Sequence, residues 1–348
     1  MKKNISFITF ISMFVFYSCD SNSTISGPSY QSSDSFIFVA GEGDFYTPGS
    51  GTISCINQYG SIDILENVGS IIHSVEVYED ILLVSANNDQ KILVYSISEF
   101  GIEFDLEILT DSQSPRDIVI HDGKAYFPTW HSDWNVYPTI PGYVKVLDLT
   151  TFEIIESIQV GIMPEGIFYD NGYLWVANSG ESSVSKINVF TNSVEVTYEV
   201  GSGPQFIAKS NNDLYIARIS YDEHWNPFYG TSKISNGGVV QVDHAFSAGS
   251  ACGGSIMTFD NKIYRSFDGG IAQIDSDLEI DQLSRIGSFN QSNVYHVEIV
   301  NDNIYFGITD YSDLNQMVVL NSFGDAISTF NVGKNPGDFA YWQKNTCN

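Results

Sequence analysis

The sequence predicts an all-β fold, a seven-bladed β-propeller, and three observations carry that prediction. A unit of four short strands, clearest from Pro164 to Val200, can be laid repeatedly along the chain. A residue that is aromatic in most units recurs in register at Phe38, Leu83, Tyr126, Trp175, Tyr215, Tyr264 and Tyr305, at intervals of 40 to 49 residues. The first unit lacks its opening strand, and the chain closes on a segment of the missing kind. Four-stranded units of this length pack face to face around a central channel.

In the clearest unit, Ile167 to Tyr169 is the first run, followed by Asp170-Asn171-Gly172, residue types that tolerate the positive φ of a tight hairpin turn. Tyr173 to Ala177 is the second run, Asn178 to Ser182 a polar loop, and Val184 to Val189 the third run. After the Thr191-Asn192 turn, Val194, Val196, Tyr198 and Val200 alternate with Glu195, Thr197 and Glu199, the pattern of an outer strand with one face in water. Neighbouring units open alike: Pro115-x-x-Ile118, Pro164-x-x-Ile167 and Pro204-x-x-Ile207.

In chain order, residues 1–18 read as a signal peptide: Lys2 and Lys3 precede a mostly apolar run from Ile5 to Tyr17 that is too short to span a bilayer. Phe16-Tyr17-Ser18-Cys19 resembles a bacterial lipobox, and that resemblance implies cleavage before Cys19 and lipidation of its thiol. The expected product is exported and anchored to a bacterial membrane, at the outer membrane or cell surface. Residues 19–35 are Ser-rich and polar, a flexible tether. The propeller is expected over 36–342, with 343–348 as a tail. Phe36 opens on a second-strand pattern, so Pro336 to Trp342 is expected to supply the first blade's inner strand, closing the ring and covering its open edges. Blades two to seven start near Ile72, Pro115, Pro164, Pro204, Gly253 and Val294. The stretch HAFSAGSACGG, from His244 to Gly254, predicts a short or irregular fourth strand in blade five.

Composition excludes some functions. A net charge of −27, from 42 acidic and 15 basic residues, repels a phosphate backbone, so nucleic acid is not an expected partner. Cys55, Cys252 and Cys347 are odd in number and share no Cys-x-x-Cys spacing; one disulfide between an unspecified pair is compatible with them, and structural zinc is not expected.

The Pro-x-x-Ile starts, the aromatic second strands and the endings Val160-Gly161, Val200-Gly201 and Val332-Gly333 resemble the YVTN-type, YncE-like propeller repeat over nearly all of 36–342. With a lipobox ahead of such a ring, the chain is similar to surface lipoproteins of Bacteroidota, some of which capture cobalamin. The resemblance implies a propeller and a binding role, and names no ligand.

One face of the ring is expected to carry function. The first-to-second-strand turns are short and generic, as at Asp122-Gly123, Asn211-Asn212, Asp260-Asn261 and Asn301-Asp302. The second-to-third-strand loops and the links between blades share the opposite face, and two of those loops are long. The blade-three loop holds Trp130, His131, Trp134 and Tyr137; the blade-five loop holds Tyr221, His224, Trp225, Phe228 and Tyr229. The links add His73, Arg116, Asp117, Glu165, Gln205, Tyr295 and His296. These residues predict one pocket above the channel: aromatic contact area from both loops, with Arg116, His73 and His296 at the mouth, for a small molecule or a protein partner. The competing expectation is that the loops pack on each other as a structural lid.

Local motifs for chemistry are sparse. His73, His131, His224 and His296 come from separate blades without His-x-x-x-His spacing, so no metal site is expected from them. Asp275, Asp277, Glu279 and Asp281 alternate as on a solvated edge, and Asp310, Asp313 and Asn315 form only a partial oxygen-ligand set. There is no Gly-x-Ser-x-Gly elbow, phosphate loop or dinucleotide fingerprint, and no cofactor is identified. A binding module is the first reading. The alternative is a calcium-dependent hydrolase or lactonase using channel carboxylates, for which Asp117, Glu165 and Asp338 are the candidates.

Overall fold

A computed structural model describes residues 32–133, 135–136, 138–244, 249–250, 254–312 and 315–345. The proposed signal peptide, Cys19 and most of the tether lie outside those residues, as do Trp134, Tyr137, Cys252 and Cys347.

Seven antiparallel sheets form, each running from an inner to an outer strand. Blade one pairs Pro336–Gln343 with Ser35–Gly41, then Gly51–Asn57 and Ile62–Gly69. Phe36 faces Trp342 and Phe38 faces Ala340 across that seam, so the last strand does complete the first blade. The inner strands of blades two, four, five, six and seven are Ile72–Tyr78, Pro164–Asp170, Pro204–Ser210, Ile256–Phe259 and Val294–Val300.

The register residues pack the blades together. Phe38, Leu83, Tyr126, Trp175, Tyr264 and Tyr305 are buried, and with Tyr215 they fall one by one into seven separate apolar clusters between consecutive sheets. Burying aromatic area between two sheets, which neither sheet can do alone, is what holds such a ring. The first-to-second turns adopt the expected left-handed conformation, with φ of 49° at Asp122, 47° at Asn171, 56° at Asn211 and 48° at Asn301.

Two local expectations are corrected. The fourth strand of blade five is regular: Gly238–His244 pairs with Pro227–Ser235 without a register break. Val239, Val240 and Val242 favour the extended strand, and the irregular composition begins only after it. The inner strand of blade three, read as continuous from Pro115, is split into Gln113–Pro115 and Val119–His121. The Asp117 carboxylate takes the Ile118 N–H at 2.9 Å and the Ile167 N–H of blade four at 3.1 Å. The Arg116 N–H still donates to the Pro128 carbonyl at 2.9 Å, and beyond it a side chain holds the backbone in place of the ladder.

Cys55 is a buried free thiol, and burial pushes its pKa up to about 12, so it stays protonated and unreactive.

Candidate functional site

Each inner strand enters the channel at the mouth, and its first residues fill a repeated set of positions. Just after the Pro or its equivalent come His73, Arg116, Glu165, Gln205, Ser255, Tyr295 and Gly337. The register of five of these strands breaks here, between Ile72 and Ser74, Pro164 and Ile167, Pro204 and Phe206, Val294 and His296, and Pro336 and Asp338. Such a bulge re-aims a side chain, and here it places these residues on a cavity of about 720 Å³. One position further, Asp117, Phe206, His296 and Asp338 line the channel; two further still come Glu76 and Glu298, since alternate strand residues share a face. At Gly166, a Cβ would stand 2.1 Å from the Gln205 carbonyl, so only glycine allows the inner strands of blades four and five to approach this closely.

The strongest polar assembly is Arg116–Glu165–His73. Arg116 Nε donates to Glu165 Oε1 at 3.1 Å, its Nη2 donates to the same oxygen, and His73 Nε2 lies 3.3 Å from it. Burial pushes Glu165 toward the neutral form, but Arg116 and then His73 outweigh it and hold the carboxyl down at about 2. Burial, then Arg116, lowers the His73 pKa, so the imidazole is neutral near pH 7. The Arg116 guanidinium stacks 4.1 Å above the Trp130 ring, and Trp130 Nε1 donates to the Pro164 carbonyl at 2.7 Å. A charge-assisted pair clamped under an indole is rigid before any ligand arrives. Glu42 completes this wall; burial raises its pKa to about 7, with Arg116 opposing and Glu165 reinforcing.

Below the mouth the channel is acidic. Burial, then the neighbouring charges of Glu298 and Asp117 respectively, raises Asp338 to about 7 and Glu298 to about 8. Asp117 is raised to about 7 by burial and then by Asp338, and Glu76 also stands well above its ordinary value. Solvent still reaches about a third of the Glu298 side chain along the channel, although protein surrounds it on every side.

The structure divides the residues expected to form one pocket. His73, Arg116, Trp130, Tyr221 and His296 line the cavity, together with Gln205, Phe206 and Tyr295. His131 stands outside it, its Nδ1 accepting from the Asp133 N–H at 3.1 Å. His224 and Trp225 sit at an exposed turn built on Asp222, whose Oδ1 accepts from the His224 and Asn226 N–H groups at 2.8 Å; Trp225 is 80% exposed. Tyr229 is buried against Ile219 and Ile280. Trp134 and Tyr137 lie outside the described residues. Sequence reasoning missed Glu42, Phe206, Glu76 and Glu298. For the last two a signal existed: a carboxylate interrupts the apolar pattern at the same position of two inner strands.

No family model and no curated protein matches the chain. Solved structures do. A protein from Bacteroides uniformis described as a candidate 6-phosphogluconolactonase matches with a TM-score of 0.65 at 12% identity, over 89% of this chain and 100% of its own. One of the same description from Bacteroides fragilis matches with a TM-score of 0.62 at 11% identity, over 89% and 98%. Apo AztD from Citrobacter koseri matches with a TM-score of 0.52 at 11% identity, over 88% and 98%. At these identities the similarity establishes the propeller fold and nothing about activity.

Proposed function

We propose that this chain is an extracytoplasmic, lipid-anchored binding protein whose mouth cavity takes a small polar molecule. The observation that supports this most is the cavity itself: about 720 Å³, walled by Trp130, Phe206, Tyr221 and Tyr295 and floored by the rigid Arg116–Glu165–His73 assembly. Size, aromatic walls and a few fixed polar groups are what a small-molecule site needs. The anchor rests on the lipobox-like Phe16-Tyr17-Ser18-Cys19. Cys19→Ala is expected to move the protein from the membrane fraction to the soluble fraction; unchanged fractionation counts against the anchor.

The binding reading is tested by a thermal-shift screen of small polar metabolites on the purified chain. A true ligand raises the melting temperature through mass action. Its effect is expected to vanish in Gln205→Ala and Tyr295→Ala and to persist in Trp225→Ala. Hits that depend on Trp225 and ignore Gln205 and Tyr295 would move the site to the exposed loop and defeat this reading.

A hydrolytic reading has one observation in its favour. Glu42 titrates near 7 on the cavity wall, where a general base is useful. Lactone hydrolysis lost in Glu42→Gln with folding intact would support it.

A further inference from the structure

Across the channel from the Arg116–Glu165 pair, the inner strands of blades seven and one bring together His296, Glu298 and Asp338. One ligand atom of each lies within 4.8 Å of the other two. His296 and Glu298 are two residues apart on one strand, so both side chains face the channel. Asp338 enters from the seam strand that closes the ring. The site therefore lies between the inner strands of two neighbouring blades.

The three groups satisfy one another only in part. His296 Nε2 and Glu298 Oε2 stand 3.4 Å apart, yet both atoms are sealed from solvent and neither makes a hydrogen bond. A buried lone pair and a buried carboxylate oxygen without a hydrogen bond each carry a desolvation cost. Natural interiors leave few such atoms, and an ion is one of the ordinary reasons. Glu298 and Asp338 are also in hydrogen-bond contact, and two carboxylates this close need a proton or a cation between them. Asp338 Oδ2 accepts the Val75 N–H at 2.8 Å, and the Ser74 side chain also bonds the carboxylate, which fixes the group. The His296 ring is held between Phe206 and Phe339, with centroids 6.1 and 5.8 Å away. Orientation of each ligand by outer contacts is the usual construction of a metal centre.

We propose that His296, Glu298 and Asp338 form a binding site for a divalent transition-metal cation of the zinc type, set in the channel beneath the mouth cavity. One imidazole nitrogen with two carboxylate oxygens suits a borderline cation such as Zn²⁺ better than a hard one such as Ca²⁺. Three protein ligands leave a coordination position open toward the channel. Glu76 and Asp117 stand nearby as further carboxyl groups, and the Arg116 charge is already paired with Glu165. His296 also lines the mouth cavity, so the site opens into it, but the proposal holds whichever molecule the cavity takes.

The test is equilibrium dialysis of the purified full-length chain, freed of metal with chelator, against ZnCl₂ alone. The expected result is one Zn²⁺ per chain and a higher melting temperature. Glu298→Gln and His296→Ala are expected to bind at least tenfold more weakly, while His224→Ala, which alters an exposed histidine, binds like the original. Glu298→Gln keeps side-chain volume and loses only the charge, so it stands as the test if His296→Ala unfolds; circular dichroism reports folding for each. Co²⁺ in place of Zn²⁺ is expected to give visible d–d absorption that His296→Ala abolishes. No saturable Zn²⁺ binding by the folded chain, equal binding by Glu298→Gln, or tighter binding of Ca²⁺ than Zn²⁺ would each overturn the proposal.

Discussion

The two long loops of the mouth face carry similar residues and are placed differently. In blade three, Trp130 sits at the end of a strand, its indole over Arg116 and its N–H on the Pro164 carbonyl of the next blade. In blade five, Trp225 sits at the tip of a turn organised by Asp222, with φ of 63° and 80% of its surface exposed. Only the first indole is tied to the inner strands, so only it shapes the cavity. An aromatic residue in a variable loop thus gains a role from what lies within reach of its backbone position, and composition alone does not assign it.

The largest effect is expected where the blade-three side is tied down. Glu165→Ala leaves the Arg116 guanidinium buried without its carboxylate, and about 3–5 kcal/mol of unfolding free energy should be lost in urea denaturation. A loss below about 1 kcal/mol would mean that Arg116 swings to solvent and that the blade-three side is no more rigid than blade five.

The next effect depends on pH. The Glu42 pKa is raised in the folded chain from 4.5 to about 7, so the unfolded chain releases this proton first. Its contribution is therefore fully favourable below about pH 4.5 and is lost as pH rises through about 7, by roughly 2 kcal/mol between pH 5 and 7. Glu42→Gln should flatten that part of a stability-versus-pH curve. Glu165, lowered to about 2, acts with the opposite sign: its contribution is present above about pH 4.5 and is lost as pH falls toward 2.

Trp130→Ala removes the stack on Arg116 and the hydrogen bond to Pro164, and should lower stability by about 1–2 kcal/mol. Trp225→Ala is expected to stay within about 0.5 kcal/mol of the original, as an exposed substitution away from packed features does. Equal losses in these two variants, measured side by side by thermal unfolding, would erase the distinction between the loops.

The sequence by itself determined the ring. Strand alternation, Asn-Gly-type turns and a recurring aromatic are local or periodic features, and each appears where the chain repeats itself. Even the closure of blade one by Pro336–Gln343 was legible, because a unit missing its first strand and a spare first strand have one economical solution. Only tertiary structure decided which residues share a site. Trp130 and Trp225 look alike along the chain, and the stack on Arg116 and the hydrogen bond to Pro164 separate their roles. His296, Glu298 and Asp338 carry no spacing motif, because their proximity is created by the packing of inner strands from two neighbouring blades. Glu42, Glu165 and Asp117 acquire their different proton affinities from burial and from the neighbours facing them across the channel, and neither exists in the linear chain. A periodic pattern fixes where each strand lies in its own blade; what meets in the centre depends on all seven blades at once, because seven inner strands converge there from positions tens to hundreds of residues apart.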